Sequence, residues 1–133
     1  MYLFINTSKD KNLDVFLIKE PDKLNQLSQS GDFKVSENLL KLIHKLLEKN
    51  NVAFRELKGI IVVTGPGPFT SLRIAVTIAN TLSYSLKIPV VDVTNEEEYD
   101  NQKLIEIGLK IIHKQEVGKY IKPFYNKEPN IVI

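Results

Sequence analysis

An apolar run that breaks at Gly-Pro-Gly-Pro and restarts as a long helical pattern restricts this chain more than any other feature. The stretch reads GIIVVTGPGPFTSLRIAVTIANTLSYSL, residues 59–86. Residues 59–63 are apolar at every side-chain-bearing position, as a strand buried on both faces of a parallel sheet must be. Residues 68–86 carry helical periodicity, and "IPVVDV", residues 88–93, reads as a second buried strand. Strand, helix and parallel strand in this compass form a βαβ unit, which is right-handed in nearly all proteins.

The remaining segments attach to that unit. "YLFIN", Tyr2–Asn6, and "LDVFLI", residues 13–18, read as two strands of an antiparallel hairpin joined by the polar link TSKDKN. "KLNQLSQS", Lys23–Ser30, has the Lys and Gln content of an exposed edge strand. Ser36 is placed to N-cap a helix running to about Asn50, with Leu39, Leu40, Leu42, Ile43, Leu46 and Leu47 on one arc of roughly 160°. Thr94 and Asn95 each precede a Glu by three residues, so either register predicts a capping box for a third helix reaching about His113. The tail "YIKPFYNKEPNIVI" is too rich in proline for a helix and reads as extended. The expectation is one α/β domain over residues 1–133, with a mixed five-stranded sheet in a core of 1–94 and a C-terminal helix and extended tail over 95–133.

Composition removes whole classes of chemistry. The chain has no cysteine, so disulfides, thiolate metal sites and cysteine nucleophiles are excluded. No apolar run approaches the length of a membrane span, and the N-terminus has no basic region ahead of its apolar part, so a cytoplasmic protein is expected. The 18 basic residues are spread along the chain among 16 acids, and only Arg55 and Arg73 are arginine. That is no nucleic-acid patch. The isolated His44 and His113 make no metal site, and both are expected in solvent. Thr7 and Ser8 have no evident activating partner and read as hairpin-loop residues. Glu96, Glu97, Glu98 and Asp100 suit a helix start better than a cation site. Phe124 and Tyr125 suit an anchor of the tail better than a base-stacking pair.

Four readings compete for "TGPGPFTSLR". A Walker loop needs a lysine, and none lies between Lys58 and Lys87. A dinucleotide loop needs a third glycine where Thr70 stands, and Pro66 and Pro68 remove two N–H groups that a phosphate would use. A structural turn needs only Gly65 and Gly67, with Pro68 preset for the first helical position. The fourth reading is a helix presented to a partner. Its apolar residues cover roughly 200°, about twice what one sheet face hides. Each large apolar side chain left in water forgoes about 1.5–3 kcal/mol. The first helix can take part of the remainder, and a chain this small has little else to cover the rest, so a partner is a physical expectation.

At these residues the chain resembles a family. The segment "GPGPFTSLRIAVTIANTLSYSLKIPVVDV" is similar to the hallmark of the bacterial TsaB (YeaZ) family, which runs GPG-S-FT-G-LRIG into a helix rich in small residues and then PVVGVS. Gly65, Pro66, Gly67, Phe69, Thr70, Leu72, Arg73 and Ile74 match it, whereas Pro68 and Ser71 depart from it. The opening "LFINTSKDKNLDVFLI" resembles the family's first hairpin. "SENLLKLIHKLL" resembles its first helix, with Val35 where a His is usual.

The resemblance implies a ribonuclease-H-like sheet of the actin/Hsp70 (ASKHA) type. It also implies a non-catalytic member of the machinery that makes N6-threonylcarbamoyladenosine (t6A) in tRNA. Such a member pairs with its paralogue TsaD, which holds the metal and the transfer chemistry, and the ATPase TsaE joins them; tRNA is met indirectly. Family members usually have two lobes and more than about 200 residues, so a single-lobe form is expected here. The tail "IKPFYNKEPNI" resembles the family's own C-terminus, which points to internal loss of the second lobe near residues 93–99. Asn6 stands where ASKHA enzymes place a magnesium-binding carboxylate, and an amide is a poor ligand for a hard cation. No catalytic residue, cofactor or metal is therefore expected.

In the family, the pairing surface comes from the first two helices, here residues 36–50 and 68–86. The expected partner contacts are Thr70 and Arg73 at the exposed helix start, and Leu39, Ile43, Leu46, Leu72, Val76 and Ala79 along the two helices. Alone, the same surface is expected to form a homodimer. The alternatives are a minimal nucleotide-binding ASKHA-type enzyme domain, and a self-associating structural module unrelated to tRNA.

Overall fold

The computed structural model of the chain describes residues 1–122. Five strands form one sheet: β1 Tyr2–Asn6, β2 Asn12–Glu20, β3 Lys23–Ser30, β4 Gly59–Gly65 and β5 Val90–Thr94, in the order β3-β2-β1-β4-β5. The β1–β2 and β2–β3 pairs are antiparallel, and β1–β4 and β4–β5 are parallel. This is the mixed α/β sheet of a ribonuclease-H-like (ASKHA) lobe. Strand β4, flanked on both sides, is buried at all its positions, as its unbroken apolar sequence requires. Strand β3 alternates between half-buried and exposed residues, as an edge strand must.

Helices cover both faces. α1 Val35–Lys49 and α2 Phe69–Leu86 share one core with Leu3, Ile5, Val15, Leu17, Ile60, Val62 and Val90. α3 Asn101–Ile112 lies opposite, with Phe4, Phe16, Ile18, Ile61, Val63, Val91 and Val93. The strict alternation of neighbours between the two cores is the period-two geometry of a strand. The Phe4 and Phe16 rings, direct cross-strand partners, meet edge to face at 5.7 Å.

Three helix starts differ from expectation. Ser36 is not the N-cap of α1: the helix begins at Val35, and the capping position, Lys34, supplies no side-chain bond. Val35 packs against the core and is drawn into the first turn. Pro68 is the capping residue of α2, with extended ψ, and Phe69 is the first helical residue. No capping box forms at Thr94 or Asn95. Thr94 ends β5, and the Asn95 carboxamide spans a turn: Oδ1 accepts the Tyr99 N–H at 2.7 Å and Nδ2 donates to the Tyr99 carbonyl at 2.9 Å. Glu96–Glu98 therefore sit in that turn and not in a helix, and α3 starts only after Asp100, whose carboxylate accepts the Lys103 N–H at 2.9 Å.

The strand expected from Ile88 begins at Val90, because Ile88 is bonded back onto the last turn of α2: its N–H donates to the Ser83 carbonyl and its carbonyl accepts the Ser83 hydroxyl at 2.6 Å. A 3-10 turn at Phe54–Glu56 has no counterpart in the sequence reading. Phe124, Tyr125 and most of the tail expected to be extended lie outside the described residues.

Candidate functional site

Strand β4 delivers the chain to the Gly-Pro turn at one end of the sheet. Gly65 has φ 138°, a region that side chains other than hydrogen rarely enter, and its peptide bond to Pro66 is cis. Gly67 presses on the loop after β1: a Cβ there would overlap the carbonyl oxygen of Ser8 and lie 2.8 Å from its Cα. The buried Thr7 hydroxyl donates to the Ser71 carbonyl in the first turn of α2 at 3.1 Å. Turn and loop are thus clasped together. The backbone surface a phosphate would need at Gly67 is already occupied by the neighbouring loop. Pro68 directs the chain into α2.

Beside the clasp lies a buried polar cluster, only part of which drew attention in the sequence. Asn6 and Asp14, direct cross-strand partners, are 3% and 5% exposed. Asn6 Oδ1 accepts the Ser8 N–H at 2.9 Å and the Ser8 hydroxyl at 2.6 Å, while its Nδ2 donates to Asn101 Oδ1 at 2.7 Å. Asn101 Nδ2 donates to Asp14 Oδ2 at 3.0 Å, and the Ser28 hydroxyl donates to Asp14 Oδ1 at 2.7 Å. The first residue of α3 therefore ties β1 to β2 through a chain of satisfied bonds, as a buried polar group requires. Both ends of the Asn6 amide are spent on this network. Among the described residues, no group of three or more His, Asp or Glu is arranged to hold a metal ion. Asp14 and Asn101 had no visible role in the sequence, because their pairing depends on a contact between residues 87 positions apart.

The helical face divides differently from the expectation. Leu39, Ile43, Leu46, Leu72, Val76 and Ala79 are all turned into the fold, 0–5% exposed. A wheel with roughly 200° of apolar arc does not reveal which part faces the sheet. The outward part belongs to their neighbours. Leu40 is 48% and Phe69 50% exposed, and Ile74, Ile78 and Leu82 are half-buried. These residues line an open groove between α1 and α2 made of two adjoining hollows that share Ser36. The first, about 410 Å³, carries Phe69, Ile74 and Ile78; the second, about 620 Å³, carries Leu40, Phe54 and Leu82.

Thr70 and Arg73 are exposed at the rim of the first hollow, where the Arg73 guanidinium lies 5.3 Å from the Phe69 ring centroid. His44 is exposed beside the second and stacks on Phe54 at 6.3 Å. His113, also exposed, meets Tyr2 edge-on at 6.2 Å, far from the groove in the fold. No helix among the described residues is long and apolar enough to cross a membrane.

Comparison with known proteins bears on the same region. The family model described as "TsaD: tRNA N6-adenosine threonylcarbamoyltransferase" matches residues 33–99, half of the chain, including α1, the Gly-Pro turn and α2. The chain is 38% identical over 77 residues to the tRNA threonylcarbamoyladenosine biosynthesis protein TsaB of Buchnera aphidicola subsp. Acyrthosiphon pisum, covering 58% of this chain and 35% of that protein. It is 34% identical over 95 residues to TsaB of Bacillus subtilis, covering 71% and 41%.

A further relative, from Clostridioides difficile, is named tRNA N6-adenosine threonylcarbamoyltransferase and is 33% identical over 70 residues, covering 53% of this chain and 21% of its own length. Among solved structures, YeaZ from Pseudomonas aeruginosa superposes with a TM-score of 0.65 at 28% identity, over 70% of this chain and 43% of that one. The chain thus spans about two-fifths of the length of the TsaB relatives it matches. Hallmark turn, sheet order and matched sequence agree: the chain belongs to the TsaD/TsaB family, as a member of its TsaB (YeaZ) type.

Proposed function

We propose that this chain acts in t6A biosynthesis as a non-catalytic scaffold subunit that pairs with a TsaD-type transferase and supports its activity. The observation that carries the proposal is the open groove between α1 and α2, which falls within the part of the chain matched by the family model. Leu40, Ile74, Ile78 and Leu82 are its apolar floor, and Thr70 and Arg73 are polar contacts at its rim. Two helices of 15 and 18 residues can supply the roughly 800 Å² per partner of a stable interface.

In this reading Gly65, Gly67 and Pro68 aim α2 at the partner, and Leu39, Ile43, Leu46, Leu72, Val76 and Ala79 support the face from beneath. A TsaE-type ATPase joins the pair, tRNA is met through the partner, the chain works in the cytoplasm, and without the partner the groove closes on a second copy. No cofactor or metal is assigned to the chain, since the Asn6 amide is committed to Ser8 and Asn101.

The test is reconstitution of t6A formation with a TsaD-type transferase and its ATPase, read by mass spectrometry of tRNA nucleosides. Product is expected only when this chain is added, and Leu40→Glu with Ile74→Glu is expected to abolish the effect. Product formation that ignores the chain would refute the proposal. A second reading, a chain with transfer chemistry of its own, draws on the relatives that bear the transferase name. It predicts product without the TsaD-type subunit.

A further inference from the structure

The surplus apolar surface of α2 has a second cover besides the sheet and α1. Asn80 lies two residues from Ile78 and two from Leu82, and so points away from the side of α2 that carries those two groove residues. Its Nδ2 donates to the Ile121 carbonyl at 3.0 Å, and its Oδ1 accepts the Ile121 N–H at 3.1 Å. That is the pair of bonds one residue of a β ladder exchanges with its neighbour, made here by a side chain. Ile121 is half-buried against the core shared by α1 and α2. The chain leading to it is held far less: residues 116–120 are all exposed and residues 115–122 have no helix or strand. Val117 and Tyr120 stand 53% and 50% exposed beside Tyr84, at the C-terminal end of α2.

We propose that Asn80 is the latch of a strap, residues 116–122, that lifts from α2 as a unit while the sheet and three helices stay folded. Segments with few buried contacts open below the global unfolding free energy; this one leaves the end of α3, where the Lys114 and Gln115 N–H groups donate to the Ile111 and Ile112 carbonyls, and among the described residues its hydrogen bonds to α2 are the two made by Asn80. Latched, the strap closes the flank of α2 away from α1 and confines any partner of α2 to the groove side. Open, it uncovers that flank and frees a carboxamide able to pair with another extended backbone. The inference is independent of the proposed role in t6A formation.

Residue-resolved hydrogen exchange on the full chain tests it. In the wild type, the Ile121 amide is expected to be protected relative to Tyr120 and Lys122. Asn80→Ala is expected to speed its exchange about tenfold or more, the effect of losing two hydrogen bonds, with β4 amides unchanged. Tryptic cleavage after Lys119 should accelerate with it. Asn80→Asp, which keeps the acceptor and loses the donor, should fall between. An unprotected Ile121 amide in the wild type, or equal protection in Asn80→Ala, overturns the latch. Should Asn80→Ala not fold, the wild type decides alone: Ile121 exchange is expected to depend on denaturant more weakly than exchange in β4, and equal dependence overturns the strap as a separate unit.

Discussion

Gly67 is where a single atom has the largest leverage. A Cβ there has nowhere to go, because the obstruction is the Ser8 backbone and not the end of a flexible side chain. Gly67→Ala is expected to destabilise the fold by about 1–3 kcal/mol, the range for overpacking a tight site, as measured by urea denaturation. A change below about 0.5 kcal/mol, the scatter of ordinary surface substitutions, would contradict the clasp. Asn101 makes the complementary point for polar groups. Its replacement by Leu leaves Asn6 Nδ2 and Asp14 Oδ2 without the partner each now has. Each buried group left unpaired costs about 1–3 kcal/mol, so denaturation should show a loss in that range or above. A neutral substitution would mean that solvent already serves the cluster.

At the scale of elements, the two sides of α2 predict opposite behaviour. Val76→Glu puts a charge at a position 5% exposed and is expected to unfold the chain or lower its melting temperature steeply. Thr77→Glu, one residue along and exposed, is expected to leave melting unchanged and to act only on association at the groove. Circular dichroism melts of the pair check both outcomes, and equal melting would contradict the assigned face.

The sequence made most elements readable because their signals are local. The apolar run of β4, the Lys and Gln content of β3 and the Gly-Pro stop ahead of α2 each report on neighbours in the chain. Helix starts were less readable. Ser36 and the Thr94/Asn95 pair have capping chemistry, but the packing of Val35 and the turn closed by Asn95 decide where the helices begin. The exposed start of α2 at Thr70 and Arg73 was legible, but which part of its apolar arc faces out was not, since sheet, α1 and the residue-121 contact all compete for one over-apolar helix. The Asn6–Asn101–Asp14 chain was hidden for the same reason, being made only when α3 docks on the sheet.

At the scale of the molecule, helices cover both faces of the sheet, and among the described residues an open groove with an exposed rim lies between α1 and α2. The Gly-Pro turn sets the direction of α2, the clasp to Ser8 fixes the turn, and the two helices together form a face broad enough for a partner. Binding of a TsaD-type subunit to this face is read by light scattering on a mixture of the two purified chains. One species at the summed mass is expected, lost on Leu40→Glu with Ile74→Glu while each chain keeps its own melting temperature. Two separate species from the wild-type mixture, or an undiminished complex from the folded double variant, would contradict it.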